Sequence, residues 1–290
     1  MKTKKLLFIA VLIFLLFFVI VAANKYPRPY SNKRSAHQVK FFDEQTFNEV
    51  IDRAKHNKPF TFHTTGGIIP HHLFVGFIIA DFFSRLTPQK PTTIILLGPN
   101  HYEKGNFKAL TSLYDWNTPF GLVNPNDSLL NDLMTHNLVR VDEETLPNDH
   151  ALSAIMPFIK YYLPRAKVVP ILLSGGLTKD DSEILANKIS SFITKDVIVI
   201  APVDFSHYLT NSQAKEKDET TLQILKEFNY KKLYLLNNDY LDSPPSIGVL
   251  LMIMQKLKTT QMDLLYHSNS GEIQKDNFIQ TTSYFEVAFY

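Results

Sequence analysis

The sequence predicts an α/β fold: one domain with a central mixed, largely parallel sheet flanked by helices, plus an N-terminal membrane helix or signal. Three observations carry this. Short apolar runs rich in Ile, Val and Leu are bounded by Gly and Pro, and such runs read as strands buried on both faces. They alternate with segments whose apolar residues recur at helical spacing, the pattern of parallel pairing with helices on both faces. Several of the runs are followed closely by a histidine or aspartate, and in open α/β sheets ligands sit at the carboxyl ends of the strands.

Taken in order, residues 43–56 form a helix, with Phe47, Val50, Ile51 and Ala54 at helical spacing. Residues 59–64 and 67–70 are strand-like. Residues 76–86 are a helix with Phe77, Ala80 and Phe83 on one side, and 92–97 are a strand. A helix over 128–136 has Asp127 or Ser128 as its cap, and 152–163 form another. Strand 167–173 ends in Ser174-Gly175-Gly176, ahead of helix 180–193 and strand 196–201. Helices 213–228 and 247–257 and late strands 263–267 and 281–289 complete the pattern. With no internal repeat or second linker, residues 41–290 read as one domain.

The N-terminus reads as a targeting segment. Lys2, Lys4 and Lys5 precede an uncharged run of 18 residues from Leu6 to Ala23. That is long for a signal core of ~7–15 residues and just at the lower limit of a spanning helix of ~17–25. Residues 1–23 are thus expected to be an anchor or a cleaved signal, with Val21 and Ala23 before the cleavage point. Either places the body outside the cytoplasm, because the lysines stay inside. Residues 24–40, with Pro27 and Pro29, read as a polar tether.

At 290 residues, 45% hydrophobic and 20% charged, the chain has ample material for a large core. It contains no cysteine, which excludes disulfides, thiolate metal sites and a catalytic thiol. Removing the three leader lysines from 30 basic residues leaves a near-neutral body against 28 acidic ones. With no basic stripe, nucleic-acid binding is not expected. Dinucleotide and phosphate-loop motifs, HExxH and GxSxG are all absent, so nucleotide cofactors and serine-hydrolase chemistry have no support.

The candidate site is polar and suited to a metal. Imidazole is the commonest metal ligand. His71 and His72 follow Ile68-Ile69-Pro70; on an extended backbone adjacent side chains diverge, so one of the two would face a given ion. His101 follows Leu97-Gly98-Pro99-Asn100, a turn that presents side chains to the crevice. Asp204 and His207 lie past strand 196–201 and converge if the backbone enters a helical turn, as metal ligands, as a general base or as partners that orient a ligand histidine. His150 sits near a helix start that Asp149 can cap, which favours its neutral form. Asp242 precedes an apolar helix as a ligand or a loop carboxylate. His56 and His136 read as solvated helix residues.

The ordered set Pro70-His71, Leu97-Gly98-Pro99-Asn100-His101, Thr118-Pro119-Phe120-Gly121, Asp149-His150-Ala151-Leu152 and Asp204-Phe205-Ser206-His207-Tyr208 resembles the MEMO family, whose prokaryotic members are called AmmeMemoRadiSam system protein B. Ser246-Ile247-Gly248 and Thr282-Ser283-Tyr284 extend the likeness over most of residues 60–290. The resemblance implies a fold similar to class III extradiol dioxygenases, which use non-haem iron, and a site binding iron or copper with links to redox chemistry or signalling. It implies that His71, His101 and a residue near 242 line the metal pocket. Asp242 stands where the family typically has a cysteine, and Ser153 and Ile155 stand where it has a glutamate and a second histidine.

Two histidines and a carboxylate are the ligand set of non-haem Fe(II) oxygenases, and a site without thiolate favours Fe(II) or Mn(II) over Cu(I). The expectation is an iron-dependent redox enzyme of dioxygenase type acting on an unidentified small molecule. The metal ligands would be His71 or His72, His101 and Asp242. Asp204 with His207 or His150 would be the catalytic groups. A non-enzymatic metal-binding or interaction module tethered at the membrane is the alternative, and a metal-dependent hydrolase the third. Oligomeric state is left open.

Overall fold

The computed structural model describes residues 34–54, 57–276 and 278–290. The first elements are β1 (Ala36–Gln38), α1 (Glu44–Ala54), β2 (Gly66–Ile69), α2 (Gly76–Leu86) and β3 (Thr93–Pro99). Then come β4 (Ala109–Thr111), β5 (Asp115–Thr118), β6 (Gly121–Val123), α3 (Asp127–Thr135), β7 (Arg140–Val141), α4 (His150–Ser153) and α5 (Met156–Tyr162). β8 (Lys167–Leu173), α6 (Lys179–Ser190), β9 (Val197–Pro202), β10 (Phe205–Leu209) and α7 (Asn211–Lys226) follow. The chain closes with α8 (Tyr230–Leu233), α9 (Pro244–Leu257), β11 (Met262–Asn269), α10 (Ser270–Gln274) and β12 (Thr281–Phe289).

Successive side chains of a strand point to opposite faces, and the central strands bury both. Ile95, Leu97, Val199 and Ala201 pack on one face with Leu185 of α6 and Leu250 of α9. Ile94, Leu96, Ile198 and Ile200 pack on the other with Phe83 of α2, Leu152 of α4 and Phe158 of α5. Each fully buried Ile, Leu or Val contributes about 1.5–3 kcal/mol. No polar face is left on these strands, which is why the sequence shows them as unbroken apolar runs.

The main sheet has the order β10-β12-β2-β9-β3-β8-β4-β7, with β11 also on β12. β2, β9, β3 and β8 are mutually parallel. Towards the margins the pairing turns antiparallel, with β12 on β2, β10 and β11 on β12, and β4 on β8, while the edge strand β7 lies parallel to β4. The parallel part is thus the centre of a mixed sheet. A second small sheet has the order β1-β5-β6.

Most long elements lie where the sequence places them. Residues 59–64 form no strand; Phe60 and Phe62 instead stack on each other, and Phe62 stacks on Tyr290. Their apolar character serves side-chain packing at the sheet end. The helix expected over 152–163 is two, α4 and α5, because Pro157 lies at the start of α5 and proline fits the first turn of a helix but not its interior. Asn126, rather than Asp127 or Ser128, caps α3. At the end of the segment read as a tether, β1 pairs with β5, and buried His37 reaches Glu143 at 2.8 Å. Residues 1–23, tether residues 24–33 and His56 lie outside the described residues. Among the described residues no helix is long and apolar enough to cross a membrane.

Candidate metal centre

β2, β9 and β3 are neighbouring parallel strands, so their carboxyl ends open on one edge. Just past them come His71, Asp204 and His101 respectively. At ~4.8 Å per strand, Asp204 arrives between the two histidines. The His71 and His101 rings nevertheless approach to 4.9 Å between centroids, nearly perpendicular. His150, the first residue of α4, stacks on His101 at 4.3 Å and meets His71 at 4.9 Å. One nitrogen from each of His71, His101 and His150 lies within 4.8 Å of the others.

Each strand-end imidazole is oriented through its Nδ1. His71 donates from Nδ1 to the Pro202 carbonyl at 3.0 Å, and its backbone N–H donates to Asp204 Oδ1 at 3.1 Å. Its Nε2 then faces Asp242 Oδ2 at 3.4 Å and Asp204 Oδ2 at 3.7 Å. His101 donates from Nδ1 to Asp149 Oδ1 at 2.8 Å and from its backbone to Oδ2 at 2.9 Å. Its Nε2 stands 3.7 Å from Asp242 Oδ2. Asp149 also accepts the Ala151 N–H at 3.0 Å, capping α4. One carboxylate thus fixes His101 and the helix that carries His150.

Charge is unevenly shared. Burial pulls the His101 imidazole down, but hydrogen bonds and charge from Asp149 and Asp242 outweigh it and hold its pKa up at about 10. Burial and the nearby His71 and His101 push His150 down to about 4, against the pull of Asp149 and Asp242. Burial raises Asp149, but the bonds from His101 and Ala151 overcome it, so its carboxyl stays below the usual range.

Asp242 is locked to Asp204: its N–H donates to the Asp204 carbonyl at 3.1 Å, and its Oδ2 accepts the Asp204 N–H at 3.3 Å. Its side chain is only 6% exposed, and Oδ1 has no hydrogen-bond partner. A buried carboxylate oxygen without a donor is costly, and a cation beside the imidazoles would satisfy it. Three imidazoles, two of them aimed by an oxygen acceptor, are a donor set suited to a transition metal. The residues fit a metal ion.

The other sequence-predicted residues fall around this trio. His72 has an extended backbone, is exposed and bonds Tyr284 Oη through Nδ1 at 2.9 Å, outside the cluster. Asp204 and His207 do not converge through a helical turn, since Phe205–Leu209 is a strand. That strand shifts register at His207, and Tyr208 has a φ of 60°. Such bulges re-aim side chains. His207 lines a cleft of about 250 Å³ with His101, Glu103, Tyr208, Asn238 and Asp242. His150, expected among the proton-handling groups with Asp204 and His207, instead joins His71 and His101 in space. Asp149, expected as a helix cap, also holds the His101 ring. The bond to His101 spans 48 residues, and no local spacing signals it.

A family model described as Memo-like protein matches residues 36–286. A MEMO1 family protein of Metallosphaera sedula is 27% identical over 72% of this chain and 77% of its own length. One of Methanosarcina barkeri is 30% identical, covering 73% of this chain and 81% of its own. An uncharacterized Escherichia coli K12 protein of known crystal structure shares the fold, with a TM-score of 0.51 at 12% identity over 77% of this chain and 99% of that one. The family match runs from the first strand into the last and takes in His71, His101, His150, Asp149, Asp204 and Asp242; the chain is a member of the Memo-like protein family.

Proposed function

We propose that this is a metalloprotein in which His71, His101 and His150 hold one divalent transition-metal ion, with Asp242 beside it, and that the centre acts on a small molecule. The convergence of one nitrogen from each imidazole within 4.8 Å carries this reading. Fe(II) is the ion we favour, with Mn or Cu as alternatives, because imidazole and carboxylate without thiolate suit Fe(II) and Mn(II) better than Cu(I). Such an ion supplies Lewis acidity and, if redox-active, electron transfer. Asp204 holds the backbone of His71 in place, and His207, whose Nδ1 is unpartnered, is positioned on the cleft wall to accept or return a proton.

The cleft favours a second reading. At about 250 Å³ it is smaller than the ~300–1,000 Å³ of most small-molecule sites, which suits a metal-carrying or interaction module. No Lys or Arg lines it, which counts against hydrolysis of phosphate esters. We further propose that residues 1–23 carry the body out of the cytoplasm as an anchor or cleaved signal; complete protection of the body from protease added to intact cells would refute this.

Metal analysis of the whole chain, purified anaerobically, tests the metal reading. One iron per chain, lost in His71→Ala, His101→Ala and His150→Ala, is expected. A metal-free wild type would overturn it. Substrate-dependent oxygen uptake then separates enzyme from carrier.

A further inference from the structure

Besides its cleft, the candidate centre has a second, more apolar cavity beside it. It has a volume of about 430 Å³, within the ~300–1,000 Å³ range of small-molecule sites. Its walls come from three segments. Leu73 and Phe74 lie two and three residues past His71, and Ala154, Pro157 and Phe158 follow His150. Phe41, Phe47 and Val50 close the third side. Phe41 also stands edge-on to the His150 ring, 5.9 Å between centroids. Among the described residues it is the one cavity ring paired with an imidazole of the trio, so the cavity wall and the candidate centre meet at this contact.

The one ionic residue of the lining, Asp43, is exposed at the rim, where its carboxylate accepts the Thr46 N–H at 2.8 Å; the walls further in are apolar. An occupant buried here is therefore uncharged and apolar, and its polar end must lie elsewhere. Gly76 adds an independent observation. Its φ of −52° is ordinary helical backbone, open to any residue. A Cβ there would meet Phe158 and Val50 at 3.5 Å, which is normal contact. Neither backbone nor crowding requires glycine at this first residue of α2. What the missing side chain leaves is room in the cavity wall.

We propose that this cavity is the apolar subsite of the metal centre, and that the substrate is an amphipathic small molecule. Its alkyl or aryl body lies between α1, α2 and α5, and its polar head passes Phe41 to the imidazole trio. The proposal rests on the metal reading above. It adds a substrate class: neutral carbon skeletons ending in one oxygen-bearing group, rather than small hydrophilic metabolites.

The test titrates straight-chain carboxylates from acetate to dodecanoate into the whole chain loaded with Co(II), whose visible spectrum reports its surroundings. Binding is expected to tighten by about fourfold per methylene until the cavity is full, with the Co(II) spectrum perturbed throughout. Gly76→Leu, which fills the cavity, should abolish the length dependence while leaving Co(II) content and acetate binding unchanged. Thr46→Trp at the rim checks this if Gly76→Leu folds poorly. Because leader and detergent take up alkyl chains equally in all these proteins, the difference from wild type isolates the cavity. Co(II) bound but no length dependence, or uptake identical in wild type and both variants, overturns the proposal and leaves the metal reading standing. So does length-dependent binding that leaves the Co(II) spectrum untouched. A chain that binds no Co(II) overturns both.

Discussion

Asp149 holds His101 at two points, Oδ1 to Nδ1 at 2.8 Å and Oδ2 to the backbone N–H at 2.9 Å, while its Oδ1 also caps the helix that begins with His150. Asp149→Asn keeps the shape and a side chain that caps well but removes the charge. We expect metal affinity to fall about 10–100-fold, the usual effect of losing a partner that orients a ligand, and the Tm to fall as well, because an amide NH2 cannot accept the buried N–H that one carboxylate oxygen accepts now. Chelator competition measures the first and calorimetry the second.

Gly98 in β3 lies against α4. A Cβ there would sit 2.7 Å from Leu152 Cδ2 and 3.2 Å from the Ala151 Cβ. Gly98→Ala should cost about 1–3 kcal/mol of stability through overpacking. By pushing α4 it should also weaken metal binding without altering a single donor atom. Unchanged affinity would show that the trio tolerates displacement of α4.

His71 and His72 should behave oppositely. His71→Ala removes a buried imidazole of the trio, whereas His72 bonds Tyr284 outside it. Metal content should collapse in the first and stay at wild-type level in the second. Equal loss in both would contradict the observed division.

The metal-free chain should have a characteristic pH dependence. His101, held at about 10 in the folded state against about 6.5 when unfolded, adds stability that is complete below pH 6.5 and lost as pH rises through 10. His150, pushed to about 4, resists protonation, so its contribution is intact above pH 6.5 and lost as pH falls towards 4. Together they favour a Tm maximum near pH 6.5 in the presence of a chelator. His101→Gln should flatten the alkaline limb and His150→Gln the acid limb. Because a metal must displace the His101 proton, its affinity should rise about tenfold per pH unit between 7 and 9.

The first strand should depend on Glu143, which accepts His37 Nε2 at 2.8 Å, Ser112 Oγ at 2.5 Å and the Leu113 N–H at 2.9 Å. Glu143→Ala takes the acceptor from Ser112 Oγ and the Leu113 N–H, leaves His37 Nε2 only Ser112 Oγ at 3.0 Å, and should cost about 1–3 kcal/mol. Hydrogen exchange should quicken first at Ala36–Gln38, and an unchanged rate there would show that ladder bonds to β5 suffice.

The central strands were legible because each buries both faces, so residues such as 94–97 and 197–200 must be apolar without interruption. The short strands β4 to β7 were not, since two to four residues hold too little periodicity to register. The strand-end rule found His71, His101 and Asp204, because parallel strands deliver their ends to one edge. Membership of the Memo-like family was likewise legible, in motifs that are local in the chain.

Tertiary packing decided the rest. Adjacent His71 and His72 look alike in the sequence, and only the extended backbone sends one to the trio and the other to Tyr284. His150 joins His101 because Asp149 binds both His101 and the start of α4, and Asp242 arrives because it pairs its backbone with Asp204. These contacts join positions 38 to 48 residues apart through backbone and carboxylate hydrogen bonds. Local patterning encodes which face a residue takes on its own strand or helix. It carries no record of which distant element will meet that face, because the pairing is set by packing the whole sheet.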